Sequence, residues 1–460
     1  MNRIDRYPIL GLLGQGGMAR VFKVQIPVVE KIVALKLLWP HPTLEDLMGR
    51  ETLKELFTTE AAILGGLQHP HVVGIWDFNT WRGRPYYLME YHAANLAHLI
   101  GESPRPDDPS RIIPVERALD YTRQILVGLD RLHHGRIIHR DIKPHNMLIH
   151  GIHQIKIADF GLSRRHNAPF RGPAHLKVGS PGYAAPEQAD NPDAAGVPAD
   201  LFSVGAILYR LLTGHLPEPG TPAPPLAGRN PDLDPAWDRF LAAALAVRPE
   251  KRFASAGEMG AALAELARHW RRSRDRTCSL DEPQARMPAG PDSPEPPSAT
   301  ALRRTPLKVN AKHARQAFEL DQLWRPRVYT GSTIRPITGD LLQDETSGLT
   351  WQQSGSRYAC TWQEAQSRIK ELNARNWADR TDWRLPTIAQ LASLLRPLPQ
   401  GRQLCLAPAF DTRQTRLWSA DRRSATSAWY VDLELGFIGW LDFTAHLDVR
   451  AVSSGQTSPT

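Results

Sequence analysis

The chain has 460 residues, 42% hydrophobic and 23% charged, with a formal net charge of +8; the length allows two or three domains, and the composition is that of globular rather than fibrous or disordered chains. Three cysteines, Cys278, Cys360 and Cys405, provide neither a disulfide framework nor the paired spacing of a zinc site. The basic balance would permit nucleic-acid contact, but no zinc-finger, basic-zipper or aromatic RNA-binding pattern accompanies it, so no nucleic-acid partner is expected.

The opening residues MNRIDRYPIL contain no apolar signal region, which points to a cytoplasmic chain. Strand-like runs follow at 21–26, VFKVQI, and at 31–38, KIVALKLL. Just before the first, LLGQGGMARVF places Gly14, Gly16 and Gly17 where backbone amides can approach phosphate oxygens, although read alone such glycines serve a plain turn equally well. Lys36 sits in the second run, where it would ordinarily be a side chain on the polar face, and Glu60 follows 24 residues later on a helical pattern. RALDYTRQILVGLDRLHH, 117–134, carries Leu119, Ile125, Leu126, Leu129 and Leu132 mostly on one face, as an amphipathic helix does.

HRDIKPHN and IKIADFG come next and set Asp141, Lys143, Asn146 and Asp159 at fixed offsets. Phosphoryl transfer needs such a set: a carboxylate to orient a hydroxyl, a cation on the phosphates and oxygens to hold a metal. LFSVGAILYRLL, 201–212, is too short to span a bilayer and reads as a buried helix, so no membrane span is expected. RHWRRSRDR, 268–276, reads as a solvated helix end leading to a linker. Residues 281–300 hold six prolines and no apolar period, and therefore cannot bury a core.

Beyond residue 326 the texture changes. Seven of the thirteen tryptophans lie between Trp351 and Trp440, as core residues or, alternatively, as a ligand platform. Thr361 with Glu364, and Thr387 with Gln390, are spaced as capping boxes at helix starts. Strand-like RLWSA, AWYVDL, FIGWLDF and DVRAV complete a compact α+β block. Asp432, Glu434, Asp442 and Asp448 are candidate cation ligands or, more plainly, solvated strand carboxylates.

GQGGMARVF, VALK, Glu60, HRDIKPHN, DFG and AAPE at 184–187 together resemble the eukaryotic-like protein kinases, in particular the bacterial Hanks-type serine/threonine kinases. The resemblance implies a two-lobed α+β kinase fold over residues 1–272, ATP and Mg²⁺ as cofactors, and transfer of the γ-phosphate to protein hydroxyls. It assigns Leu13, Gly14, Gly16, Val21, Ala34, Met89, Glu90, His92 and Leu148 to the nucleotide, and Lys36 to its α- and β-phosphates, steadied by Glu60. Asp141 would orient the acceptor hydroxyl, Lys143 would touch the γ-phosphate, and Asn146 and Asp159 would hold Mg²⁺. Asp200 would anchor the catalytic loop, and Glu187 would pair with Arg252. Ala19 departs from the family's third loop glycine.

The later block resembles the Lcl-type C-terminal domain, which implies a smaller C-type-lectin-like module over 326–455 that senses a ligand or binds a protein partner. A proline-rich linker, 273–325, separates the two. Its hydroxyls, Ser273, Thr277, Ser279, Ser293, Ser298, Thr300 and Thr305, are candidate autophosphorylation sites or simply solubilising residues. The competing reading is a pseudokinase scaffold that acts by binding only.

Overall fold

A computed structural model describes residues 2–151, 153–161, 163–165, 180–190, 195–218, 226–230, 233–278, 302–397 and 404–454. The chain divides into two compact units, Met1–Pro283 and Gln284–Thr460. Among the described residues no helix is long and apolar enough to cross a membrane.

The first unit opens with an antiparallel sheet of β1 (Arg3–Ile4), β2 (Tyr7–Gln15), β3 (Ala19–Gln25), β4 (Ile32–Leu38), β5 (Ile75–Trp81) and β6 (Arg84–Met89), in the order β1-β2-β3-β4-β6-β5. β4 is aliphatic and β-branched, and six of its seven residues are buried, as a central strand requires. Two helices, α1 (Pro42–Met48) and α2 (Arg50–Gly65), follow β4, joined at Gly49, whose φ of 77° only glycine takes readily. α2 buries Leu53, Phe57, Glu60 and Leu64, a spacing of three and four that puts the acid on the same face as the apolar anchors.

The larger lobe is helical. α4 (Val115–His134) buries all five of the leucines and isoleucines expected of it, and α6 (Val197–Thr213) is buried almost throughout, as its apolar run indicates. Short α3 (Leu96–Ile100) and α5 (Pro186–Asp190), with α7 (Pro235–Ala244) and α8 (Ala256–Cys278), complete it. Gly128 lets α4 approach closely: a Cβ there would lie 2.8 Å from Ile157 and 2.9 Å from the His71 carbonyl. Two small sheets accompany the helices, and Ala94 and Asn95 of one and Leu148 beside them line the cleft. β7 (Ala94–Asn95), β9 (Met147–His150) and β10 (Gln154–Ile157) pair in the order β10-β9-β7, and β8 (Ile137–Ile138) pairs with β11 (Arg164–Arg165).

The second unit holds β12 (Ile334–Pro336), β13 (Leu341–Asp344), β14 (Thr350–Gln352) and β18 (Val452–Ser453) in one antiparallel sheet, and β15 (Arg416–Arg422), β16 (Ser427–Asp432) and β17 (Phe437–Asp442) in another. Helices α9 (Ala311–Ala317), α10 (Trp362–Ala374) and α11 (Ile388–Leu394) accompany them, and both expected capping boxes form, at Thr361 and at Thr387. Trp351, Trp362, Trp383, Trp418 and Trp429 are buried, which fits the core reading.

Three expectations change. DVRAV is not one strand: it bridges Leu417 through Asp448 and then Arg384 and Trp351 through Val452, moving between neighbours instead of following one. The stretch expected as linker up to 325 is largely structured from residue 302, because Leu302, Val309, Ala311, Phe318 and Trp324 pack on the second core and Arg303 pairs with buried Asp421 at 2.8 Å. At its other end, Ser273 and Thr277 lie within α8. Ser279, Ser293, Ser298 and Thr300 lie outside the described residues. The acids expected to be solvated are not all so: Asp432 is 1% exposed, pairs with Arg416 at 3.0 Å and accepts from the amides of Glu434 and Leu435. Cys360 and Cys405 are free thiols, and burial raises the pKa of each to about 11.

Candidate active site

β4 presents Lys36 opposite Val21 of β3 and Tyr87 of β6, inside the sheet rather than on a polar face. α2 brings Glu60 to it, and Lys36 Nζ donates to Glu60 Oε1 at 2.6 Å and to Asp159 Oδ1 at 3.0 Å. Tyr87 Oη also donates to Glu60 Oε1, at 3.0 Å. Burial works against the lysine charge, but Asp159 and Glu60 outweigh it and raise the pKa above the ordinary lysine range. Lys36 in turn pulls the Asp159 carboxyl down to about 2, while 52% of that side chain stays open to the cleft.

Asp141 is buried at 8% exposure and held from several sides. Its Oδ1 accepts from Ser180 Oγ at 2.9 Å, and its Oδ2 accepts from Asn146 Nδ2 at 3.0 Å and lies 2.8 Å from Lys143 Nζ. Lys143 also donates to Ser180 Oγ at 2.8 Å. Asn146 Nδ2 is shared with the Asp141 carbonyl at 2.8 Å, which leaves the Asn146 Oδ1 as an acceptor.

Asp200, on α6, fixes the backbone that carries this loop. Fully buried, it accepts from the amides of His139 at 2.9 Å and Arg140 at 2.7 Å, and His133 Nε2 lies 2.9 Å away. Burial opposes its charge, yet the hydrogen bonds from His133 and His139 hold its pKa below the ordinary range. Those amides hold a strained path at Arg140, whose φ of 70° is left-handed, and Asp159, on the neighbouring loop, has a left-handed φ of 65° as well. Gln188 donates to the Arg140 carbonyl at 2.9 Å, and Arg252 grips Glu187 through both Nη atoms at 2.7 and 2.8 Å.

These groups open into one cleft of about 1340 Å³, lined on the β-sheet side by Leu13, Gly14, Gly16, Val21, Ala34 and Lys36. Met89, Glu90, His92 and Leu148 line its inner edge. A Cβ on Gly14 would meet nothing within 4 Å, so the strand tip leaves room for a bulky ligand. Glu90 is locked at that edge by Lys156 at 2.9 Å and His92 at 3.2 Å; burial would raise its pKa, but these partners win and hold it at about 2. Among the described residues, no three His, Cys, Asp or Glu side chains are placed to hold a metal by themselves.

Residues 7–253 match the family described as the protein kinase domain. The chain belongs to this family. Residues 340–453 match the Lcl C-terminal domain. The chain is 31% identical over 290 residues to serine/threonine-protein kinase pkn3 of Myxococcus xanthus, covering 58% of this chain and 51% of that protein. It is 30% identical over 313 residues to PknL of Mycobacterium tuberculosis, covering 65% and 72%. The solved kinase domain of Mycobacterium tuberculosis PknI is 25% identical with a TM-score of 0.43, covering 57% of this chain and 97% of that one. The chain spans 51%, 41% and 27% of the lengths of three of these curated bacterial kinases.

Every residue expected in the kinase site lies at this cleft or directly behind it. Sequence reasoning did not single out Tyr87, Lys156, Gln188 or His133, which brace Glu60, Glu90, Arg140 and Asp200. Lys156 had a visible signal, a lone cation inside the apolar run of β10; a tyrosine hydroxyl behind a glutamate has none.

Proposed function

We propose that the chain is an ATP-dependent serine/threonine protein kinase that transfers the γ-phosphate to protein hydroxyls in the cytoplasm. The observation that carries this reading is the complete charged set facing one cleft: Lys36 with Glu60 and Asp159, and Asp141 with Lys143 and Asn146. A scaffold that acts only by binding has no need of it, and the relatives are named as kinases.

The residues fit the ligands. Gly14 and Gly16 would cover the phosphates, Leu13, Val21, Ala34, Met89 and Leu148 would enclose the adenine, and the backbone from Glu90 to His92 would meet its edge; all of these residues line the cleft. Asn146 Oδ1 and ionised Asp159 suit Mg²⁺ as two hard oxygen ligands, leaving the remaining positions to phosphate and water. ATP supplies the phosphoryl group, and Mg²⁺ supplies positive charge against its phosphates. Lys36, held charged by two carboxylates, binds the α- and β-phosphates. Asp141 orients the acceptor hydroxyl and takes its proton, and Lys143 neutralises charge at the γ-phosphate.

We read the C-terminal block, assigned above to residues 326–455, as a ligand- or partner-binding module of the C-type-lectin-like kind that its resemblance to the Lcl C-terminal domain implies, a reading supported by the match over residues 340–453. Incubation with MgATP and a peptide library holding serine, threonine and tyrosine tests the enzymatic reading. It predicts phosphoserine and phosphothreonine; phosphotyrosine alone, or no phosphopeptide, would overturn it.

A further inference from the structure

We propose that Tyr87 is a positioning residue for phosphotransfer: its hydroxyl holds α2 where Glu60 engages Lys36, so that this half of the site stands assembled before nucleotide arrives. The inference rests on the phosphotransfer reading and concerns how its site is kept in order. Lys36 and Tyr87 lie opposite each other on β4 and β6, and residues directly opposite in a ladder project to the same side. Both meet α2 there. Tyr87 is 1% exposed, its ring lies 5.2 Å from that of Phe57, and its Oη donates to Glu60 Oε1 at 3.0 Å. Phe57 and Glu60 stand one turn apart on α2, so a single tyrosine touches both.

Donors from two strands thus meet on one carboxylate oxygen. Lys36 Nζ reaches Glu60 Oε1 at 2.6 Å, but it also reaches Asp159 Oδ1 at 3.0 Å. Asp159 is the residue assigned to Mg²⁺, so its hold on Lys36 is shared with the metal. The Tyr87 hydroxyl has a single proton and gives it to Glu60. Burial and the Glu60 carboxylate keep the Tyr87 pKa well above its ordinary range, so that proton is present at every working pH.

Glu60 is 3% exposed, and a buried carboxylate that loses a donor gains by moving outward to water, taking its helix with it. The hydroxyl therefore biases α2 toward the inward position. Phosphotransfer scales with the fraction of chains in which Lys36 and Glu60 are paired, so a weaker bias appears as lost activity. The competing role for Tyr87 is that of a core ring against Phe57. Tyr87→Phe separates the two, because it keeps the ring and removes the hydroxyl.

Two measurements on the full chain test this. In nucleotide-free protein, Tyr87→Phe should speed amide hydrogen exchange in α2 by about tenfold, the scale of one hydrogen bond to a charged group, and leave α4 as it was. With MgATP and a serine peptide, kcat/KM for ATP should fall by about three- to tenfold while the KM for the peptide holds. Glu60→Met keeps the volume and removes the acceptor; it should speed α2 exchange by itself, and adding Tyr87→Phe should then change that rate by less than about twofold. Unchanged α2 exchange in Tyr87→Phe, the same acceleration with and without Glu60, or equal acceleration in α4 would overturn the positioning role and leave phosphotransfer standing. Failure of the wild type to phosphorylate the peptide would overturn the phosphotransfer reading, and α2 exchange would still decide whether the Tyr87 hydroxyl holds the helix.

Discussion

Glu90 illustrates how single partners set the chemistry of this protein. Burial alone would make it a weak acid, yet Lys156 and His92 hold it at about 2, as Lys36 holds Asp159. A carboxyl with a depressed folded-state pKa contributes stability that is present above its unfolded pKa and lost as pH falls through the folded one. The contribution of Glu90 is therefore full only above about pH 5, past its unfolded pKa, and disappears as pH falls toward about 2. Lys156→Met removes one of its two partners, so the acid unfolding midpoint should move to higher pH when followed by tryptophan fluorescence; an unchanged midpoint would show that the pair is immaterial. The residues that bear charge toward the ligand were legible because their offsets are fixed by chemistry, as in Asp141, Lys143 and Asn146. The residues bracing them were not, because Tyr87 or His133 reaches its partner through folding and not through spacing.

Strands and helices carry these residues to their places, and their most exacting joint is between α5 and the loop after α7. Arg252 is wholly buried and divides its donors between Glu187 and the carbonyls of Ala246, Val247 and Pro198. Removing one member of a buried ion pair leaves the other unneutralised, at about 3–5 kcal/mol. Arg252→Ala should lower the unfolding free energy of the first unit by that order in denaturant titration, and Arg252→Lys should recover only part, because one ammonium cannot replace a two-pronged grip. A loss under about 1 kcal/mol would refute this. Helices with strong signals were legible: α4, α6 and the two capped helices lie where period and caps indicate. β5, β6 and the broken course of DVRAV were not anticipated, since short strands draw their partners from distant sequence and period alone does not name them.

At the scale of the whole molecule, the change from a proline-rich segment to packed chain comes earlier than composition suggests. Proline and charge extend to residue 306, and they conceal anchors such as Leu302 and Arg303 that engage the second core. Asp421 is fully buried and accepts from Arg303 and from the amides of Leu307 and Ile388. Arg303→Ala should lower the stability of the second unit by about 1–3 kcal/mol while phosphotransfer is retained, read by calorimetry beside an activity assay. Equal loss of both would mean that the units fold as one.

The central claim is that Asp141, within the set that includes Lys36, Asn146 and Asp159, makes this chain a phosphotransferase. Transfer of labelled phosphate from ATP to a serine-bearing peptide, compared between wild type and Asp141→Asn, tests it most directly. The substitution keeps the shape and removes the proton acceptor. The predicted result is clear incorporation by wild type and a loss of about 10²–10⁴-fold in the variant, with nucleotide affinity little changed. Equal incorporation by the two proteins, whether high or at background, would contradict the account.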